Sequence, residues 1–312
     1  MKVAVTCGAS PIMADVVALI GALPQVESIT LVDAEPLDFT HGCATARVPY
    51  GSQPGYGDAM KALCERERIG YIFVGSDEEA QALATTSWAG VISHLDSGER
   101  TALVRDKYRL HVTLGSELVP AFEHCTTSQQ LHAMVERYGS VIERPVAGRG
   151  SKGLRHVVLN ESDAFPSALA VQDVTPGPGT FHTQFLTGDK FSADCIFDCG
   201  RLLTCMVRNN GPSVKYRPPT MVARACADDD VFTFAGRVGA ALGLNGFHQI
   251  ECGKDEAGAV RLIEINPRLD ATLPITRCYD QNFYGLLIDR AAVGLMVPVR
   301  PLFRRFFVAQ SK

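Results

Sequence analysis

The stretch from Arg144 to Gly153 (Arg-Pro-Val-Ala-Gly-Arg-Gly-Ser-Lys-Gly) constrains the fold of this chain more than any other segment. Gly148, Gly150 and Gly153 have the spacing GxGxxG, which in a dinucleotide-binding unit is followed by a helix. Here the following residues, Leu154 to Leu159 (Leu-Arg-His-Val-Val-Leu), alternate and are β-branched, so they read as a strand. Val141–Arg144 reads as a strand on the other side. The segment is therefore a glycine flap between two strands. Glycines allow backbone N–H groups to approach phosphate oxygens closely, Ser151 adds a hydroxyl, and Arg149 and Lys152 add positive charge. The plain alternative is a β-hairpin with a flexible tip. Protein kinases also carry a strand–loop–strand glycine flap, but this chain has no HRD-like catalytic loop and no DFG.

A second stretch, Arg261 to Arg268 (Arg-Leu-Ile-Glu-Ile-Asn-Pro-Arg), puts Glu264, Asn266 and Arg268 on one face if extended. Glu251 lies on the preceding strand, Gly246–Cys252, and the turn Asp255–Gly258 would bring it beside Glu264. Adjacent carboxylates repel unless a cation sits between them. Glu251, Glu264 and Asn266 supply the hard oxygens that a magnesium ion, or a manganese ion, uses when phosphates and water complete its shell. Two exposed hairpin carboxylates are the plain alternative, and for Arg268 it is a surface ion pair.

The first hundred residues alternate strand and helix: Lys2–Thr6, Met13–Leu23, Ser28–Val32, Tyr56–Gly70, Tyr71–Val74 and Glu78–Ala84. Such alternation predicts a parallel sheet covered on both faces, a Rossmann-like lobe. Its first turn, Cys7 to Pro11 (Cys-Gly-Ala-Ser-Pro), is not a dinucleotide fingerprint. Asp33 could hold a ribose or could simply be a solvated strand end. A helix is expected over Ala102–Leu114 and a strand over Glu117–Phe122. The overlapping capping boxes of Thr126–Gln130 open a helix running to Tyr138. A hairpin of Phe191–Phe197 and Leu202–Val207 turns at Asp198-Cys199-Gly200, a helix follows Asp228–Asp230, and another near Phe283–Leu295 closes the fold. The later two-thirds is thus antiparallel-rich α+β, without internal repeats.

The net charge of −4 gives no general attraction to nucleic acid or anionic membranes, so any anion site must be local. No apolar run reaches the roughly 18 residues of a membrane span, and no leader pattern precedes the first strand. A cytoplasmic protein is expected. The ten cysteines form no CxxC pair, which argues against zinc and for reduced, buried thiols.

With these two motifs together, the chain resembles the ATP-grasp superfamily, in its carbamoyl-phosphate-synthase-large-subunit-like group. The likeness covers nearly the whole chain. It rests on Leu31-Val32-Asp33, Val74–Glu79, Arg105-Asp106-Lys107, Val141–Pro145, Gly148–Gly153, Thr183–Gly188 and Gly246–Arg268. The resemblance implies a pre-ATP-grasp Rossmann-like domain (1–97), an ATP-grasp N-terminal subdomain with the phosphate loop (98–183) and a C-terminal subdomain with the magnesium site (184–312). It implies that Lys107 and Arg144 contact ATP phosphates and that Gly148, Arg149, Gly150, Ser151, Lys152 and Gly153 cover them. Gln184, Phe185 and Leu186 would border adenine, mostly through backbone. Glu251, Glu264 and Asn266 would hold magnesium, while Arg268 and Arg208 would stabilise an acyl-phosphate. Where a glutamate commonly contacts ribose, this chain has Lys190, and Asp189 could substitute for it. The implied activity is ATP-dependent ligation of a small-molecule carboxylate to an amine, on an amino acid or small peptide. Alternatives are a single-half enzyme phosphorylating bicarbonate or carbamate, a catalytically silent nucleotide-binding protein and, remotely, a dehydrogenase. Similar proteins are commonly dimers.

Overall fold

The computed structural model describes the chain except residues 87, 89, 149–152, 161–167, 213–221, 291–295, 301 and 305–312. The alternating stretch forms β1 (Lys2–Thr6), α1 (Met13–Gly21), β2 (Ser28–Asp33), β3 (Ala44–Arg47), α2 (Tyr56–Glu67), β4 (Ile69–Phe73), α3 (Asp77–Ala84) and β5 (Ile92–Ser93). The five strands are parallel, in the order β3-β2-β1-β4-β5. Helix α2 stops three residues short of expectation because Arg68 takes a left-handed conformation (φ 59°), which starts β4 early. The three central strands, β2, β1 and β4, are buried on both faces, as their apolar runs require. Ala4, Val32 and Ile72 pack on Tyr56, Met60 and Leu63 of α2. Val3, Leu31 and Phe73 pack on Met13, Val16 and Ile20 of α1.

The expected helix over Ala102–Leu114 is two helices, α4 (Gly98–Arg105) and α5 (Lys107–Leu114). Asp106 interrupts them: it adopts an extended conformation and its carboxylate accepts from the Arg109 N–H, which caps α5. The expected strand at 117–122 is confined to β6 (Phe122–Glu123). It is followed by α6 (Ser128–Tyr138), β7 (Ser140–Pro145), β8 (Arg155–Val158), β9 (Leu169–Ala170) and β10 (Thr180–Gln184), in a sheet ordered β6-β10-β7-β8-β9. The capping box that opens α6 is made by Thr127 and Gln130.

The third sheet is assembled from β11 (Asp189–Asp198), β12 (Arg201–Pro212), β13 (Val222–Cys226), β14 (Gly246–Lys254), β15 (Val260–Asn266) and β16 (Leu302–Arg304), ordered β15-β14-β11-β12-β13-β16. Helices α7 (Asp229–Leu242) and α8 (Phe283–Ile288) and two short 3-10 helices, Val171–Asp173 and Leu273–Cys278, complete the described elements; residues 291–295 of the expected closing helix lie outside them. The β11–β12 turn works because Cys199 (φ 46°) and Gly200 (φ 86°) both take the left-handed conformation that a tight hairpin needs. One face of this sheet is apolar. Ala193, Cys195, Val207 and Ile250 pack on α7 and on Val104, Leu110 and Leu114 of α4 and α5. At Gly239 of α7 an added methyl would overlap the Phe197 ring, so glycine permits the close helix–sheet approach.

The α1 face of the first sheet shares one core with the far end of the chain: Ile196, Met206, Phe247, Leu273, Phe283 and Tyr284 belong to it. Tyr71 Oη donates to the Leu287 carbonyl at 3.0 Å, and Phe73 meets Tyr284 edge-on with centroids 5.7 Å apart. By contrast, the second sheet and α6 have their own smaller core around Leu131, Met134, Val141 and Val157.

Candidate functional site

The polar face of the third sheet is built in rows, because directly opposed residues on neighbouring strands project the same way. Arg208, Ser192, Glu251 and Glu264 form one row across β12, β11, β14 and β15. Asp194, Gln249 and Asn266 form the next. The expected pairing of Glu251 with Glu264 is thus a register fact, and Asn266 is adjacent, its Nδ2 3.5 Å from Glu251 Oε1.

Positive charge converges on Glu264. Lys107, at the start of α5, places Nζ 3.0 Å from Glu264 Oε2 and donates to the Gly148 carbonyl at 3.0 Å. Arg144, at the end of β7 and 4% exposed, donates to the Ile263 carbonyl at 2.8 Å and reaches Glu264 Oε2 at 3.4 Å. Burial opposes ionisation of Glu264, but Lys107 and Arg144 outweigh it and hold the carboxyl below its usual range. Glu251 feels the charges of Arg208 and Arg268, but they do not outweigh what opposes its ionisation. Burial first, then the charge of Glu264, pushes it up to about 7. Near neutrality the pair therefore tends to keep a proton where a divalent cation would relieve the same repulsion.

The donors present are two carboxylates and one amide oxygen, all hard, which fits magnesium or manganese bound jointly with phosphate oxygens. Among the described residues no group of three or more His, Cys, Asp or Glu side chains is arranged to hold a metal ion.

Residues 180–309 match the family described as ATP-grasp in the biosynthetic pathway with Ter operon. Among solved structures, the chain is similar to an L-amino acid ligase from Bacillus licheniformis, with a TM-score of 0.64 and 17% identity over 96% of this chain and 74% of that one. It is similar to a biotin carboxylase from Campylobacter jejuni, with a TM-score of 0.67 and 18% identity over 92% and 70% of the two chains. It is also similar to N5-carboxyaminoimidazole ribonucleotide synthetase from Thermotoga maritima, with a TM-score of 0.67 and 14% identity over 96% and 79%. A sequence comparison with curated proteins gives no significant match. The fold is that of the ATP-grasp superfamily.

In this ATP-grasp fold, Lys107, Arg144, Gly148, Glu251, Glu264 and Asn266 come together as the sequence leads one to expect. Arg149, Gly150, Ser151 and Lys152 lie outside the described residues. The stems of their loop are fixed by an unforeseen row: Glu143, 2% exposed, takes Arg155 of β8 at 2.5 Å and His182 of β10 at 3.1 Å. Gly153, with φ 75°, closes the loop in a conformation that favours glycine.

At the expected adenine border, the Gln184 N–H donates to the Ala121 carbonyl at 2.8 Å and the Phe185 N–H to that of Ser140 at 3.1 Å, so these donors already have partners. Phe185 and Leu186 line a slot of about 40 Å³ with Ile142, Arg144, Lys190 and Leu262. His156, which carries no motif in the sequence, stacks on Phe185 with centroids 4.4 Å apart. Asp189, suggested as the ribose contact, stands at the start of β11. The Asp189 carboxylate accepts from Asn209 Nδ2 at 2.9 Å, whereas Lys190, one residue on and on the opposite strand face, lines the slot.

Arg268 has its Nε 3.3 Å from Asp77 Oδ1 and its Nη2 3.4 Å from Asn266 Oδ1. It lines a cavity of about 220 Å³ with Cys7, Met13, Phe73 and Tyr284, and Asp77 lines another of about 310 Å³ with Lys107 and Asn266. Arg208 shares the row of Ser192, Glu251 and Glu264. It lies within β12, not beyond the hairpin, and is 1% exposed. Its guanidinium is clamped between Asp194 and Asp270, the latter at 3.1 Å. Asn209–Pro212 also belong to β12. Asp33 uses its carboxylate on the Ala9 and Glu35 N–H groups, at 2.9 and 3.1 Å, which makes it a brace for the β1–α1 loop.

Proposed function

We propose that the protein is an ATP-dependent carboxylate–amine ligase. The observation that carries this reading is the register-opposed pair Glu251 and Glu264, with Asn266 beside it and Lys107 and Arg144 converging on Glu264. The site combines a hard-cation donor set with fixed positive charge, as transfer of a phosphoryl group requires. Glu251, Glu264 and Asn266 would hold magnesium, which when bound offsets phosphate charge. A carboxylate oxygen of the substrate attacks the γ-phosphorus, the bond to the β–γ bridging oxygen breaks and ADP leaves. The amine then attacks the acyl carbon, loses a proton and expels phosphate, leaving an amide. Lys107 and Arg144 lie where the transferring phosphoryl group would gather charge, and Arg268 lies where the acid would dock. The stem-anchored glycine loop would cover the site and exclude water from the acyl-phosphate.

The test is ADP release from MgATP with a panel of acids and amines. Release that requires both an acid and an amine supports the reading, and hydrolysis indifferent to any carboxylate refutes it. Glu264→Gln keeps the side-chain shape and removes the charge that Lys107 and Arg144 face. It should cut turnover by at least about 100-fold while the protein stays folded. Turnover within a few-fold of wild type would show that Glu264 is not at the reacting centre.

A further inference from the structure

Gln249 is 0% exposed and lies in the middle of the third sheet, where a merely space-filling residue would be apolar. Its side chain is bonded at both ends. Nε2 donates to Asp194 Oδ1 at 3.1 Å, and Oε1 accepts from Asn266 Nδ2 at 3.0 Å. Asp194 is itself 0% exposed and paired with Arg208, whose guanidinium stays charged in proteins, so this carboxylate is an acceptor. An acceptor on that side dictates that Gln249 presents its NH₂ there. The Gln249 oxygen must then face Asn266, and Asn266 must answer with its own NH₂.

The surroundings of Asn266 agree. Its Nδ2 has the Gln249 oxygen on one side and Glu251 Oε1 at 3.5 Å on the other, while its Oδ1 receives Arg268 Nη2 at 3.4 Å. The reversed amide would set oxygen against Gln249 Oε1 and the Glu251 carboxylate, and NH₂ against a guanidinium. Every contact would then be like against like.

We propose that Gln249, held by Asp194, is a positioning residue that fixes the Asn266 amide so that its oxygen, not its nitrogen, is offered to the cation. This rests on the metal-site reading above. The relay extends the site one strand beyond its ligands. Within it the buried Asp194–Arg208 pair holds the acceptor from which the orientation starts.

The experiment measures Mn²⁺ affinity of the full chain in the presence of ADP, by electron paramagnetic resonance of free Mn²⁺, together with the thermal midpoint of each variant. Gln249→Met preserves length and volume and removes both polar ends. It should weaken Mn²⁺ binding by about 10-fold, the lower end of what outer partners of metal ligands contribute, with little change in ADP affinity without metal. Asn266→Asp cannot present a donor, so orientation no longer matters. In that background, Gln249→Met should change Mn²⁺ affinity by less than about twofold or tighten it, a non-additivity that a packing role would not produce. Equal losses in both backgrounds, or no loss in either, overturn the proposal. Glu264→Gln separates the two readings. If it too leaves Mn²⁺ affinity unchanged, the cation site itself is wrong; if it alone abolishes binding, only the orientation role is wrong. Should Gln249→Met fail to fold, a crystal structure of the wild-type protein with MgADP decides. Gln249 still bonded to Asn266, with the other amide atom on the cation, supports the relay, and a broken Gln249–Asn266 bond overturns it.

Discussion

Removing the charge of Arg208 separates a frame residue from one that meets substrate. Arg208 is 1% exposed and Asp194 0%, and the arginine bridges Asp194 to Asp270. Arg208→Met keeps most of the buried volume but strands Asp194 without its cation. Breaking a buried pair in this way costs about 3–5 kcal/mol, because the remaining charge is uncompensated. With an unfolding entropy of about 2.1 cal/mol/K per residue, a chain of 312 residues unfolding as one unit loses about 0.65 kcal/mol of stability per degree near its midpoint. The expected fall is therefore about 5–8 °C, read by calorimetry at neutral pH. The double variant Asp194→Leu, Arg208→Met removes the stranded charge as well and should regain more than half of the loss. Asp270 still has the Thr272 N–H at 3.0 Å and Arg268 at 3.4 Å. A single variant that melts within about 1 °C of wild type refutes this reasoning, and so does a double variant no better than the single. Either result would return Arg208 to the substrate side of the site.

Two further outcomes concern the frame. His94 and His111 are fully buried, and burial holds each imidazole at about 3 against about 6.5 in an unfolded chain. Between those values the unfolded chain binds more protons. Stability is thus complete above pH 6.5 and falls by about 1.4 kcal/mol per pH unit per histidine as the pH drops towards 3. Thermal midpoints that stay level or rise from pH 7 to pH 5 would contradict this. Gly239→Ala pushes a methyl into the Phe197 ring and should destabilise by about 1–3 kcal/mol, seen as a lower urea midpoint with an unchanged slope. An unchanged midpoint would mean that α7 can shift freely on its sheet.

Much of the fold is legible in the residues because its signals are local. The first lobe follows from short apolar strands at regular intervals, and the α6 capping box from Thr127 and Gln130. The Glu251–Glu264 pairing is readable because a tight turn joins two strands and fixes their register. Strands β3 and β5 escape notice because they are short and weakly patterned. The α4–α5 break is hidden because Asp106 can sit within a helix as well as cap one, and the choice is made by packing. Arg208 is easily misplaced because β12 runs on through Asn209, Asn210 and Gly211, residues that alone suggest a loop. Gln249 is the least visible. Phe247, Gln249 and Glu251 share one strand face, which is a signal, but the need for a buried amide appears only when β11 and β15 are laid on either side.

The shared core of the first sheet and the far end of the chain has a consequence for how the protein is made. Val3, Leu31 and Phe73 finish their packing on Ile196, Phe247 and Tyr284. A ribosome adding about 5–20 residues per second needs on the order of 10–40 s to pass from the end of the first sheet to α8. Through that interval this face of the nascent sheet has only α1 over it and lacks the rest of its cover. The α2 face, whose core is drawn from residues close in sequence, can close at once. The emerging lobe is thus half finished and presents an apolar face to whatever lies near the exit tunnel, so cells short of chaperone capacity should lose this protein during synthesis more readily than after it.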